Sequence, residues 1–279
     1  MNSFQKGWSM KEFQLEGKTA MVTGAGRGIG KAIALTLAEA GAHIIAAART
    51  REEIEDTAAE VQKTGRECLP VPADVSKSSD VARMVEVAVS KFGRIDILIN
   101  QAGRGGGRKP LVLLPGYNPP GAKDIPDFFT PMSETMWHSV MDTNLTSMFL
   151  CARAVGPYMI EQKKGKIVNM SSFVGAKGFP YQLAYSTSKA AVSMFTRCLA
   201  LEWARYKINV NAIGPGYVRT SMTEGLLQNE AARESLLKSV PLRRFCEPRE
   251  VGLLALYLAS EASDYLTGQT IYLDGGLLA

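Results

Sequence analysis

Tyr185 and Lys189 stand four positions apart in the run A-Y-S-T-S-K, and Ser172 precedes the tyrosine by thirteen positions. On a helix that separation puts both side chains on one face, close enough for an ammonium to act on a phenol. A phenol titrates near ~10 in water, so acid–base work at neutral pH needs a cation beside it to lower that value. The Ser172 hydroxyl can then hold a substrate oxygen within reach of the phenol. Tyr-x-x-x-Lys alone occurs on many surface helices, so its meaning depends on what the other elements bring to the same place.

Those elements read as an alternation. Short apolar runs at Lys18–Thr23, His43–Ala48, Cys68–Pro72, Ile95–Asn100, Lys166–Met170, Ile208–Ile213 and Thr270–Leu273 have the length and residue types of buried strands. Helical spacing lies between them, at Lys31–Ala40, 51–64, Asp80–Phe92, Thr135–Lys163, around Tyr185 and at Leu253–Ser260. Strands alternating with helices predict a doubly wound α/β fold, with a parallel sheet covered by helices on both faces. No second compositional zone appears in the 279 residues, so a single Rossmann-type domain over 1–279 is expected. One segment breaks the rhythm: the glycines and prolines of 104–131 exclude a regular helix or a central strand there.

Composition narrows the function classes. With 46% hydrophobic and 21% charged residues the chain has the make-up of a soluble globular protein. The net charge of +5 is not gathered into a basic arm, so no nucleic-acid partner is expected. The first sixteen residues lack an apolar core, and no uncharged apolar run approaches the ~18 residues of a membrane span, so a cytoplasmic protein with no membrane partner is expected. Four cysteines without C-x-x-C spacing and only two histidines leave little material for a disulfide framework or a metal site, and no metal is expected.

The first strand runs directly into Gly24-Ala-Gly26-Arg-Gly28-Ile-Gly30, and a helix follows. Glycines there let backbone approach a pyrophosphate while the helix N-terminus favours its charge, which points to a dinucleotide. An acidic side chain at the end of the second strand would bind the 2′-hydroxyl of NAD, but that position holds Ala48 with Arg49 after it. An arginine suits a 2′-phosphate, and Arg27 could be a second contact; NADP(H) is therefore the preferred cofactor, with a solvated Arg49 and a permissive NAD(H) site as the alternative.

Over about residues 13–279 the chain resembles the short-chain dehydrogenase/reductase family. The matching pieces are Thr23-Gly-x-x-x-Gly-x-Gly30, Asp74-Val75, Asn144, Ser172, Tyr185-x-x-x-Lys189, Pro215-Gly216 and Asp274-Gly275-Gly276. The resemblance implies that Tyr185 exchanges a proton with the substrate oxygen, that Lys189 holds the nicotinamide ribose and lowers the phenol's pKa, that Ser172 orients that oxygen, and that Asn144 anchors a water leading to Lys189. It also implies a cofactor site built from Gly24, Arg27, Gly28, Ile29 and Gly30, from Asp74 and Val75 at the adenine, and from Asn100, Ala102 and Gly103 after the fourth strand. Pro215, Gly216, Val218 and Thr220 would hold the nicotinamide end. A hydride would then pass between nicotinamide and a secondary alcohol or ketone.

Two departures from the family pattern stand out. Gln101 replaces the usual second asparagine in Asn100-Gln-Ala-Gly103, which predicts altered hydrogen bonding with the local role kept. The 104–131 segment is longer than the family pattern and would either cap the substrate cleft or make an oligomer contact. A substrate lid is expected over 217–244. The stretches E-W-A at 202–204 and I-N-V-N-A-I-G-P-G-Y at 208–217 resemble gluconate-type and polyol dehydrogenases as well as 3-oxoacyl thioester reductases, and a small polar hydroxy or keto compound is the expected substrate. A non-catalytic dinucleotide-binding regulator is the rival from another class. The family also implies a homo-oligomer, dimer or tetramer.

Overall fold

The computed structural model describes residues 10–112, 130–221, 223–224 and 230–279. Seven parallel strands form one sheet: β1 (Thr19–Thr23), β2 (His43–Ala48), β3 (Cys68–Pro72), β4 (Ile97–Asn100), β5 (Gly165–Met170), β6 (Ile208–Pro215) and β7 (Thr270–Leu273), in the order β3-β2-β1-β4-β5-β6-β7. The chain runs outward from β1 to β3 and then returns to the other side of β1 as β4. That reversal opens a crevice at the carboxyl ends of β1 and β4, where folds of this kind bind ligands.

The inner strands are mostly apolar because both faces are covered. Ala20 and Val22 enter one core with Ile44, Ala46, Ile97 and Ile99, whereas Met21 enters the other with Ile45, Ala47 and Leu98. Successive strand residues point to opposite faces, so two cores demand continuous rather than alternating hydrophobicity. The first core is closed by α1 (Gly28–Glu39) and α8 (Pro248–Ala259) through Ile33, Leu37, Val251 and Leu258. The second is closed by α3 (Ser78–Phe92), α5 (Ser147–Gln162) and α6 (Leu183–Trp203) through Met84, Val155 and Leu199. The doubly wound α/β architecture is the one expected. α2 (Arg51–Gln62) packs beside β3, and α7 spans Glu230–Ser239.

Some boundaries differ from expectation, each for a local reason. β4 starts two residues later than the expected Ile95, because Asp96 turns aside to accept from the Thr19 N–H at 2.9 Å and to pair with Arg94. β6 runs on to Pro215, since Gly214 and Pro215 stay in register with Tyr272 and Leu273 of β7. The helix expected over Thr135–Lys163 is interrupted: α4 (Glu134–Met141) passes into a π-helical turn, Asp142–Thr146, before α5 begins. Turns of that kind gather at functional sites, and Asn144 sits inside this one.

Of the 104–131 segment, residues 113–129 lie outside the described residues, as do 222 and 225–229 of the expected lid. The described arm runs back along the start of α6, where the Lys109 N–H donates to the Tyr181 carbonyl at 2.9 Å. Among the described residues no helix is long and apolar enough to cross a membrane.

Candidate active site

At the carboxyl ends of β1 and β4 the structure holds a cleft of about 470 Å³. Gly24, Arg27, Gly28 and Ile29 wall one side, Ala48, Arg49, Asp74 and Val75 a second, and Ala102, Gly103 and Thr220 a third. The loop after β1 can be this tight only without side chains: Gly24 has φ +69°, and a Cβ on it would come within 2.9 Å of Ala102 Cα. A Cβ on Gly30 would run into the Gly24 carbonyl oxygen. The loop leads straight into the N-terminus of α1, whose first residues Gly28 and Ile29 line the cleft, so the cradle fits the pyrophosphate of a dinucleotide.

Gln101 supports this loop from β4. Turned so that its amide nitrogen faces the glycines, it donates to the carbonyls of Thr23 at 3.2 Å and Gly24 at 2.9 Å. Its reach explains how the altered hydrogen bonding expected of a glutamine keeps the local geometry. Asp74 lines the cleft beside Arg49. Burial works to raise its carboxyl, but hydrogen bonds from the Ser76 side chain and N–H, with Arg49 nearby, bring it below its ordinary value.

Ser172, Tyr185 and Lys189 come together close to Gly103 of the cleft wall. Tyr185 and Lys189 lie on one face of α6, with the Lys189 Nζ 5.8 Å from the centre of the Tyr185 ring. Ser172, just past β5, has its hydroxyl close enough to the phenol to act on its titration. Lys189 is buried and donates to the Met170 carbonyl at 2.7 Å. Burial brings its ammonium down to about 8. Burial also pushes the Tyr185 phenol above its ordinary value, with the Ser172 hydroxyl acting the other way. This runs against the expectation of a phenol made acidic by Lys189: the ammonium bonds a backbone carbonyl, and the loss of water around the phenol outweighs the Ser172 hydroxyl.

Asn144, fully buried, ties this group to the cleft. Its Oδ1 accepts from the Arg104 N–H at 2.8 Å, and its Nδ2 donates to the Arg104 carbonyl and to Ser188 Oγ, each at 3.0 Å. Ser188 in turn donates to the Tyr185 carbonyl at 2.7 Å. The point where a Cβ on Gly103 would sit lies 3.4 Å from Asn144 Oδ1 and 3.6 Å from Lys189 Nζ.

Other expected site residues lie outside the cleft wall. The Asn100 side chain is buried and donates to Asn169 Oδ1 at 2.9 Å, serving the sheet interior. Gly30 is buried behind the glycine loop. Pro215 ends β6, Gly216 backs onto Asp274, and Val218 bridges to Cys246, so all three shape the loop that delivers Thr220. Sequence reasoning missed Ser188 and Glu53. The first was masked by its place in an ordinary helical stretch. The second sits in the first turn of α2, where an acidic residue is common for helix-dipole reasons, yet it lines the cleft. Among the described residues no group of His, Cys, Asp and Glu gathers as metal ligands would.

Comparison with known proteins agrees with this geometry. The family model described as enoyl-(acyl carrier protein) reductase matches residues 24–278. A 3-oxoacyl-[acyl-carrier-protein] reductase, FabG, of Thermotoga maritima is 40% identical over 265 residues, covering 95% of this chain and 99% of that protein. Among solved structures, one from Agrobacterium tumefaciens assigned as a gluconate dehydrogenase superposes with a TM-score of 0.86 at 35% identity, covering 96% of this chain and 98% of that one. Another from the same organism, assigned as a 2-deoxy-D-gluconate 3-dehydrogenase and solved with bound NADP, gives a TM-score of 0.82 at 32% identity, covering 96% of this chain and 98% of that one. With the cleft, the Tyr185–Lys189 pair and these likenesses together, the chain belongs to the short-chain dehydrogenase/reductase family of NAD(P)-dependent oxidoreductases, which act on CH–OH and keto groups.

Proposed function

We propose that the chain, acting as one domain over 1–279, uses NADP(H) in preference to NAD(H) to interconvert a ketone and a secondary alcohol, and that a 3-oxoacyl thioester is its substrate. The observation that carries the reaction is the meeting of Ser172, Tyr185, Lys189 and Asn144 beside a cleft whose glycine loop fits a dinucleotide. Bound nicotinamide supplies or takes the hydride at the carbinol carbon. Ser172 orients the carbonyl oxygen, and Tyr185 passes it a proton. A buried phenol with a raised pKa stays protonated, which suits a donor in the reductive direction. Lys189 stabilises the phenolate left behind and holds the ribose hydroxyls. Asn144 fixes the Arg104 backbone and, through Ser188, the carbonyl of Tyr185 itself.

The thioester reading is supported by the 40% identity to the Thermotoga maritima reductase over nearly the whole chain. A sugar-acid or polyol substrate is the second reading, favoured by the gluconate-type structural neighbours. Phosphate preference is supported by Arg27 and Arg49 at the cleft. Association into a homo-oligomer is supported by exposed apolar side chains on α5 and α6, Phe149, Met194 and Leu201.

The test is NADPH oxidation with an acetoacetyl thioester and, separately, with a keto-gluconate. Faster turnover of the thioester is expected. Turnover of the keto-gluconate alone would replace the first reading with the second, and turnover of neither, with NADPH bound, would overturn both.

A further inference from the structure

The adenosine end of the cleft carries paired charges of opposite sign. Arg27 Nη1 stands 3.3 Å from Glu53 Oε1, with the arginine side chain 72% exposed and the glutamate 33%. Arg49, at the end of β2, lies near enough to Asp74 to help hold that carboxyl down. All four residues line one cleft. Each cation that could meet a 2′-phosphate therefore already faces a carboxylate.

The two carboxylates differ in what else holds them. Asp74 Oδ1 accepts from the Ser76 N–H at 3.1 Å and from the Ser76 hydroxyl at 2.7 Å, so it is tied into its own turn. Glu53 instead leans over the glycine loop: its Oε2 lies 2.8 Å from where a Cβ on Gly26 would be. A carboxylate so placed reaches the same ground as an acidic residue at the end of β2 would, from a different element. Its charge opposes a phosphate on the adenosine ribose and cancels that of Arg27. For a ribose with a free hydroxyl it offers a hydrogen-bond acceptor.

We propose that Glu53 sets the balance between NADPH and NADH, lowering affinity for the 2′-phosphate by neutralising Arg27 and serving as acceptor for the 2′-hydroxyl. This rests on the reading of the cleft as a dinucleotide site. The pair is partly exposed, so an effect of about fivefold in affinity is expected rather than a switch of many orders.

The experiment titrates the full-length protein calorimetrically with adenosine 2′,5′-bisphosphate and with 5′-AMP, which probe this end of the cleft without turnover. Glu53→Gln should tighten the bisphosphate by about fivefold and weaken 5′-AMP, the gain for the bisphosphate shrinking at high salt. Arg27→Gln, which leaves Glu53 without its partner, should shift the ratio the opposite way. Wild-type ratios in both variants, each checked for native melting, would overturn the proposal while leaving the dinucleotide site intact. Failure of both nucleotides, and of NADPH, to bind the wild-type chain would overturn the site reading itself.

Discussion

Asn144 grips Arg104 by both ends of its backbone, accepting from the N–H at 2.8 Å and donating to the carbonyl at 3.0 Å. One amide side chain thereby satisfies a loop residue as a neighbouring strand would. It can do so because the π-helical turn places Asn144 out of step with α4 and α5. The remaining donor goes to Ser188, which holds the Tyr185 carbonyl, so the loop after β4 and the helix of the tyrosine are joined through one buried residue.

Replacing Asn144 with alanine leaves the Arg104 groups and Ser188 without that partner. A loss of about 1–3 kcal/mol in unfolding free energy is expected, measured by urea denaturation. Turnover should fall more than cofactor affinity, because Tyr185 loses its support while the glycine loop does not. Unchanged stability would mean that the loop and Ser188 find other partners.

Tyr185→Phe removes the proton donor and keeps the ring. Turnover should fall by about 10²–10⁴-fold, with NADPH affinity by fluorescence titration close to wild type. A variant retaining wild-type turnover would show that the proton comes from elsewhere.

Lys189 carries a prediction about stability and pH. Its folded-state value is about 8 against an ordinary 10.5, so the unfolded chain binds the extra proton between those limits. Stability rises with pH wherever the unfolded state holds more protons. The burial penalty is thus present in full below about pH 8 and is relieved as pH rises towards 10.5. Relative to Lys189→Met, the wild-type chain should gain stability between about pH 7.5 and about pH 10 when both are compared by chemical denaturation. Parallel curves for the two proteins would contradict the lowered value.

Gly30→Ala places a methyl against the Gly24 carbonyl, which is backbone and cannot swing aside. The glycine loop must shift, at a cost of about 1–3 kcal/mol. Nucleotide affinity should fall along with the melting temperature. An alanine variant that binds NADPH normally would show that the loop is looser than its packing implies.

Much of this protein could be read from its residues in order. Apolar runs such as His43–Ala48 sit between helical stretches, and that spacing is enough to define a parallel sheet, because strands covered on both faces have no polar side to display. The glycine loop and the Tyr185–Lys189 spacing were equally legible, since both are local: a turn without side chains, and one helical turn. What the tertiary structure decided were the relations between distant residues. Asn144 reaches Arg104 only because a π-turn rotates it, and Glu53 meets Arg27 only because α2 folds back over the glycine loop. The direction of the Tyr185 shift was also out of reach of sequence. Spacing puts a cation near a phenol, but only packing sets how deeply that phenol is buried, and burial raises it.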